Sequence, residues 1–393
     1  MYLDAIFYFA LLMLIFALSD IISTVTKAAV PSMFALSVFC VILFWGGLAP
    51  TNILELAGIS STLVYVVYYL QLPHMGSLMS VKEISVQWKT IIVCVAGLIG
   101  MCLATMTIGM LVFGKLAATV ATPPLTGGIV AYLIVSEQAV AMGRQDLATL
   151  ALAVLVLQSF VGYPLTSFLL KKEAKRLASK FRNGEREGSD EKLAEAKKPI
   201  FPQLPEKYVT DNVVLFKVSV AGLIGILITV ATKEFLSRYV ILLLVGVILS
   251  EIGFLDRKPL IKSQVFGFTS VVIVGYVVVS GIAAASPETV ISMLIPAMGI
   301  IIIGCIGLCI AASVAGRFVG FHKEMAMSVA LTALYGYPGN FILSQESVKA
   351  VAESKEESDY LTSRIEPQMI VGGFTTVTIA SVIVASIFLK MFF

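Results

Sequence analysis

Long apolar runs recur along the whole chain, and short polar connections separate them. Most runs are close to the roughly 20 residues that an α-helix needs to cross the hydrocarbon core of a bilayer. One hydrophilic stretch, rich in Lys, Arg, Asp and Glu, interrupts the pattern near the middle of the chain. The pattern predicts an all-α polytopic membrane protein, with a transmembrane segment at 1–170, a hydrophilic linker at 171–212 and a second transmembrane segment at 213–393.

Short sequences in the first apolar half recur in the second half at a nearly constant separation. The stretch 99–104 aligns with 306–311 at a shift of 207 residues (306 minus 99), and Gly128 aligns with Gly336 at a shift of 208. A constant offset of this kind is typical of an internal repeat. Each half then contains six segments in the same order, predicted at 5–19, 29–48, 61–79, 88–113, 117–138 and 147–170 and again at 213–231, 239–255, 265–283, 289–316, 324–346 and 365–391.

The fifth segment of each half carries helix breakers at its centre. They are the Pro and Gly residues of 122–128 in the first half and of 335–340 in the second. Proline removes an amide donor, and glycine accepts the backbone angles of a sharp reversal. Irregular backbone is tolerated at membrane depth only where it is buried in protein or lines a wet cavity. We therefore expect the fifth segments to be re-entrant hairpins or broken helices.

The distribution of Lys and Arg among the connections predicts the orientation. If each fifth segment returns to its own side, each half crosses the membrane five times and most basic connections lie with the linker. Full crossing by both fifth segments would instead move Lys27, Lys82 and Lys89 to the other side. The positive-inside rule favours the first arrangement: about ten crossings in two inverted five-helix repeats, a cytoplasmic linker, and both termini outside. We expect a multi-pass protein of the bacterial inner (plasma) membrane.

Inverted repeats with interrupted helices are typical of secondary transporters. Two copies of one unit in opposite orientation provide nearly equivalent inward-facing and outward-facing states. Broken helices also expose free amides, which attract anions, and free carbonyls, which attract cations, near the middle of the membrane. The pattern therefore predicts transport by alternating access, with the site where the two breaks meet.

Composition narrows the remaining classes of function. Charged residues make up 13% of the chain, against roughly 25% in an average soluble domain. The net charge of +3 gives no indication of nucleic acid binding. The five cysteines lie inside apolar runs, and two histidines alone, His74 and His322, do not favour a metal centre. We see no phosphate-binding glycine loop and no nucleophile–base pair, so we expect neither an ATP-driven pump nor an enzyme, and no cofactor.

Two local sequences carry a resemblance to a known family. The aromatic stretch 68–72, followed by Gly76, and Arg364 followed by the glycine pair of 371–374 resemble segments of the sodium:glutamate symporter family. The chain resembles the 2-hydroxycarboxylate (citrate) transporters more distantly. The resemblance implies an elevator-type transporter fold, in which a transport domain slides against a scaffold that forms a homodimer. It also implies sodium-coupled uptake of a small organic anion, such as an amino acid or a carboxylate.

The glycine motifs depart from the family pattern. The family's first motif resembles Gly-Gly-His-Gly-Thr, whereas Gly127 and Gly128 are followed by Ile129 and preceded by Pro123 and Pro124. The resemblance therefore implies the fold and a transport function but does not identify the substrate.

Under this symporter hypothesis, amides at the two breaks hold a carboxylate, Arg364 neutralises a second one, and two glutamine amides bind polar substrate atoms. The candidate substrate contacts are Thr126, Gly127, Gly128, Gln158, Tyr335, Gly336, Gly339, Asn340, Gln345 and Arg364. Sodium is expected at Thr122, Thr126 and Asn340, which lie at the breaks.

Two alternatives remain open. The same fold can use protons or act as an exporter, and the candidate ion-coupling residues are Glu137, Glu346, Glu366 and Gln368. The chain can also be a non-transporting membrane scaffold or receptor, with the linker as its docking segment.

Overall fold

The computed structural model describes residues 2–78, 87–185, 200–202, 204–233, 238–283 and 286–392. Every regular element in these ranges is helical. By length and composition, five described helices can cross a membrane: Leu3–Val25, Trp88–Phe113, Gln145–Arg182, Asp211–Ala231 and Leu294–Val319. The hydropathy pattern thus predicted the all-α class and the apolar helices of a membrane protein. Residues 186–199 and 203 of the predicted linker lie outside the described residues.

The first half of the chain contains nine α-helices among its described residues. A π-helix, Thr105–Gly109, continues the fifth of them. The helices are α1 (Tyr2–Val25), α2 (Ser32–Trp45), α3 (Ile53–Leu56), α4 (Ser61–Ser77), α5 (Trp88–Ala104), α6 (Met110–Phe113), α7 (Lys115–Leu125), α8 (Ile129–Ala141) and α9 (Gln145–Arg182).

The second half begins with a short 3₁₀ turn, Glu206–Tyr208, and contains another 3₁₀ turn at Thr332–Leu334 and a π-helix at Thr375–Ala380. Its α-helices are α10 (Asp211–Ala231), α11 (Arg238–Glu251), α12 (Pro259–Lys262), α13 (Phe266–Ala283), α14 (Pro287–Ser292), α15 (Leu294–Val319), α16 (Lys323–Leu331), α17 (Gly339–Lys349), α18 (Lys355–Phe374) and α19 (Ser381–Phe392).

Both fifth segments are interrupted, as the breakers predict. α7 ends at Leu125 and α8 begins at Ile129, while Thr332–Pro338 separates α16 from α17. α7 packs against α8, so the first interrupted segment folds back on itself.

Both sixth segments are longer than the apolar pattern predicted. α9 continues to Arg182, so the boundary placed at 171 falls inside a helix. The reason is that Glu173, Ala174, Leu177 and Ala178 continue its buried face at helical spacing, while charged residues cover the other face.

The last long helix begins at Lys355, ten residues before the predicted start at 365. Ser354 caps α18 by accepting a hydrogen bond from the Glu357 amide at 3.1 Å, and Glu357 accepts one from the Glu353 amide at 2.8 Å. A Ser followed three residues later by Glu is a helix-start signal that outweighs the low hydropathy of this turn.

The chain divides into two compact units, and each takes residues from both halves. The larger unit comprises Met1–Ile53, Trp88–Glu185 and Val278–Phe393, and the smaller comprises Leu54–Gln87 and Arg186–Val277. The division therefore does not follow the order of the predicted segments along the chain.

In the larger unit, α5 and α15 pack antiparallel through small residues. A Cβ at Gly97 would lie 3.6 Å from the Cβ of Ala312, and one at Gly304 would lie 3.3 Å from the Cγ2 of Thr105. Helix backbones approach this closely only where side chains are small. The main core forms around this pair, where α9 and α16 also contribute buried residues.

In the smaller unit, α4 and α11 also touch backbone to backbone. A Cβ at Gly76 would overlap the carbonyl oxygen of Leu243, and one at Gly246 would overlap that of Pro73. The carboxylate of Asp256 lies between two lysines, 2.7 Å from Lys262 Nζ and 3.2 Å from the Nζ of a lysine in α10, Lys217. Burial acts to raise the pKa of Asp256, but the two ammonium groups outweigh it and hold the pKa below its usual value.

Candidate functional site

The two breaks meet at the π-helix Thr375–Ala380. Gly127 has φ +119°, and a Cβ there would lie 3.0 Å from both the Ala333 carbonyl oxygen and the Cα of Val377. Gly336 has φ +61°, and a Cβ there would lie 2.8 Å from Val377 Cγ2. Gly128 faces the Val377 carbonyl oxygen. The structure therefore brings together three of the predicted glycines around one residue of the last long helical segment.

The first break is held by threonine hydroxyls. Thr126 is fully buried, and its Oγ1 donates to the Pro123 carbonyl oxygen at 2.8 Å. The Oγ1 of Thr122 lies 2.8 Å from that of Thr105, in the π-helix that follows α5, and 2.7 Å from the Ala118 carbonyl oxygen. A hydroxyl has a single proton, so Thr122 donates to one of these oxygens at a time and keeps acceptor capacity. Oxygen-rich surroundings of this kind suit a small hard cation.

The second break is held by Asn340, which is fully buried. Its Nδ2 donates to the Met369 carbonyl oxygen at 2.8 Å, and its Oδ1 accepts from the Phe341 amide at 2.8 Å. The Nδ2 bond therefore fixes the start of α17 against α18, while the Oδ1 bond lies within the first turn of α17. The Asn340 side chain therefore positions the second break. Its Oδ1, which was predicted to bind sodium, accepts a hydrogen bond from the Phe341 amide instead.

Two tyrosines and two glycines pack beside the second break. The rings of Tyr163 and Tyr335 lie 5.0 Å apart between centroids. Gly162 and Gly339 make room for the Tyr335 ring, since a Cβ at either would come within 2.9 Å of it. The Tyr335 hydroxyl lies beside that of Thr166 in α9. The predicted residues Tyr335 and Gly339 thus belong to an aromatic contact between α9 and the break.

Several polar side chains of the larger unit carry buried atoms without hydrogen-bond partners among the described residues, and three of these atoms belong to amide or guanidinium groups. They are Oε1 of Gln158 in α9 and, on α18, Nε of Arg364 and Oε1 of Gln368. Arg364 and Gln368 are four residues apart on one helix and share a face. A buried polar group without a partner costs about 1–3 kcal/mol. Water or a ligand would satisfy these groups, which are one cationic donor and two amide acceptors.

The predicted ion-coupling carboxylates occupy different environments. The carboxylate of Glu346 lies 3.1 Å (Oε1) and 3.3 Å (Oε2) from the amide of Ser32, so it caps the start of α2. Glu366 is buried in α18 with 7% of its surface exposed. Glu137 is exposed on α8. The structure therefore buries one of the three carboxylates, Glu366, on a different face of α18 from Arg364 and Gln368.

One predicted substrate contact lies apart from the others. Gln345 is exposed on α17, whereas Asn340 and Ser344 of the same helix are buried. Thr105 and Val377 were missed, because each lies in an apolar run that reads as ordinary helix. Both π-helices contain a pair of threonines, 105 and 107 in one and 375 and 376 in the other, but such a pair does not distinguish a π-helix from an ordinary α-helix.

No protein-family model matches this sequence, and no curated protein is significantly similar to it.

Proposed function

We propose that this chain is a sodium-coupled symporter for a small organic anion, working by elevator-type alternating access. The observation that carries the proposal is the meeting of the two breaks at Val377, together with the unmet buried groups of Gln158, Arg364 and Gln368. Broken helices that meet are a general means of binding anions and cations side by side in transporters.

Contacts between α5 and α15 support two inverted repeats. Gly100 faces Ala311 and Gly307 faces Ala104, and these are reciprocal pairs at the offset of 207 residues (311 minus 104, and 307 minus 100). The same relation holds for a second reciprocal set, which pairs Gly97 with Leu308 and Met101 with Gly304. Reciprocal contacts between equivalent residues are the property of a two-fold axis. Because the two helices are antiparallel, that axis would lie in the membrane plane, as in inverted-topology transporters.

Contacts at one end of the larger unit support five crossings per half. Arg182, at the end of α9, pairs with Glu353 at 3.1 Å and with Glu357 at 2.8 Å, just beyond the end of α17. Nine residues earlier on α9, Glu173 contacts His322, just before α16, at 3.1 Å. Nine residues of helix span only about 14 Å, much less than a bilayer. The α16–α17 segment therefore starts and ends near the same membrane face, as a re-entrant element would.

The chemistry of the site supports an organic anion. Arg364 supplies a fixed positive charge and an unmet Nε–H, which together suit a carboxylate. The amide oxygens of Gln158 and Gln368 are acceptors, so they would bind N–H or O–H groups of the substrate. The amides of Gly127 and Gly336 already donate to the carbonyl oxygens of Pro124 and Thr332. Donors to a second carboxylate would therefore come from the first turn of α8, which begins at Ile129.

Sodium would bind among the threonine oxygens of the first break. Thr122 and Thr126 are buried and lie beside α7 carbonyls. In the proposed mechanism, the larger unit is the moving transport domain and the smaller unit is the scaffold of a homodimer. The protein would lie in a bacterial inner membrane with both termini outside.

Purified protein tests the proposal directly. A panel of amino acids and carboxylic acids should raise the thermal unfolding midpoint in sodium but much less in potassium, because ligand binding stabilises the folded state by mass action. Uptake into vesicles should then follow the sodium gradient for the ligands that stabilise. Stabilisation and uptake that are equal in both salts would refute the sodium coupling.

A proton-coupled transporter is the second candidate, and the burial of Glu366 favours it. A carboxyl group at membrane depth is a natural proton carrier. If Glu366→Gln abolishes accumulation driven by a pH gradient but preserves substrate exchange, the coupling ion is the proton. If Glu366→Gln leaves sodium-driven accumulation intact, this candidate fails.

A further inference from the structure

A cluster of three metal-ligating side chains lies outside the site described above, where the end of α9 meets the start of α16. The Nδ1 of His322 is 2.7 Å from Oε2 of Glu324 and 3.1 Å from Oε2 of Glu173. One ligand atom from each of the three residues lies within 4.8 Å of the others. Four-coordinate zinc, with bonds of about 2.0–2.1 Å, holds its ligand atoms roughly 3.3 Å apart. Small side-chain adjustments would therefore admit a metal ion.

The burial of the carboxylates distinguishes the cluster from an ordinary surface ion pair. Glu173 is 3% exposed and Glu324 is 9% exposed. The Oε2 of Glu324 is buried and accepts no hydrogen bond within the described residues, although His322 Nδ1 lies only 2.7 Å away. A short contact without hydrogen-bond alignment leaves the carboxylate oxygen unsatisfied. A cation between the two atoms would satisfy both.

The surrounding charges define how such an ion would be held. Arg176 donates to both oxygens of Glu173, at 2.7 and 3.0 Å, which orients this carboxylate in the way that outer hydrogen bonds orient metal ligands. Lys323 lies 3.9 Å from Glu324 Oε1. His322 is 41% exposed at its side chain, so the cluster has an opening to solvent. One imidazole and two carboxylates with an open position match the preferences of Zn²⁺.

We propose that Glu173, His322 and Glu324 form a zinc-binding site that clamps α16 to α9. α16 leads directly into the second break at Thr332–Pro338, so zinc would hold that break in one arrangement. This regulatory consequence rests on the proposed transport function, whereas zinc binding itself does not.

Thermal unfolding of the full-length protein in detergent, after removal of metals by a chelator, tests the site. Increasing zinc should raise the unfolding midpoint of the wild type, and His322→Gln and Glu324→Gln should each need at least tenfold more zinc for the same rise. Lys323→Gln is the matched control: it removes a neighbouring positive charge and should bind zinc at least as tightly as the wild type. Cobalt should give visible absorption bands in the wild type that both ligand variants lack.

The outcomes separate the proposal from its rivals. An equal zinc response in the wild type and in both ligand variants would overturn the site, as would no response in the wild type. A midpoint that depends on pH through His322 but not on zinc would identify a protonated imidazole between two carboxylates and would also overturn it. Zinc that binds but leaves substrate uptake unchanged would overturn only the clamp on the break.

Discussion

At the scale of single residues, the hydrogen-bond partners of a buried polar side chain distinguish a structural role from a role in ligand binding. Asn340 and Arg364 were both predicted to meet the substrate or its ion. Asn340 uses both amide atoms on the backbone, whereas Arg364 keeps a buried Nε without a partner among the described residues. The two side chains therefore lead to opposite expectations on substitution.

Arg364→Lys should impair binding but not folding. Lysine keeps the charge but loses the planar fork that binds carboxylates, so KM for uptake should rise at least about tenfold while the thermal midpoint stays unchanged. Arg144→Lys is the control, because that arginine forms an exposed pair with Asp146 at 2.6 Å. A fall in the midpoint of Arg364→Lys as large as its loss of binding would indicate a structural role.

Asn340→Ala should impair folding. It removes the hydrogen bond to the Met369 carbonyl and one of the two that the Phe341 amide makes, since that amide also donates to the Pro338 carbonyl oxygen at 3.1 Å. The loss of two buried hydrogen bonds should lower the free energy of unfolding by about 1–2 kcal/mol. Denaturation of the purified variant measures this loss. Gln345→Ala on the same helix is exposed and should leave stability unchanged. Equal stability of the two variants would contradict the positioning role of Asn340.

At the scale of helices, the interruptions within the fifth segments were easier to predict than the residues at which helices begin and end. Glycines and prolines predicted both interruptions, because missing donors and permitted backbone angles are local properties. The ends of α9 and α18 were misplaced, because a hydropathy pattern stops where charges begin, whereas a helix continues as long as one face is buried or a cap holds it. The π-helices have no comparable local signal.

Gly127→Ala should disrupt the meeting of the breaks. Its φ of +119° strains any side chain, and the added Cβ would crowd the Ala333 oxygen and Val377 at 3.0 Å. We expect at least a tenfold loss of uptake and a lower thermal midpoint. Gly143→Ala provides the control, because it also has a positive φ, +71°, but has nothing within 4 Å of the added Cβ. Similar losses in both variants would mean that backbone strain, not crowding at the breaks, is the cause.

At the scale of the whole molecule, the relation between the halves is the main result of combining sequence and structure. The offset of 207 residues suggested a repeat, and the contacts of α5 with α15 repeat at that same offset. Neither observation alone distinguishes a repeat from chance matches among small apolar residues. Together they support two copies related by a two-fold axis.

Gly100→Ala and Gly307→Ala should destabilise the protein to a similar extent. In each, the added Cβ would overlap the backbone of the opposite helix, at the carbonyl oxygen of the other glycine. Gly267→Ala serves as the control, since nothing lies within 4 Å of its Cβ. There alanine should stabilise the helix by up to about 1 kcal/mol. Thermal unfolding of the three variants measures the effect, and a large difference between the first two would argue against equivalent environments.

The sequence by itself determined the membrane class, the helical segments and the position of both breaks. These follow from hydropathy and from the backbone chemistry of Gly and Pro, which act within a few residues of the chain. Only the tertiary structure decided that the breaks meet at Val377, that Asn340 and Glu346 are engaged by backbone groups, and that Glu173 and Glu324 converge on His322. These contacts join residues far apart in sequence, and which groups find partners depends on packing that no local pattern encodes.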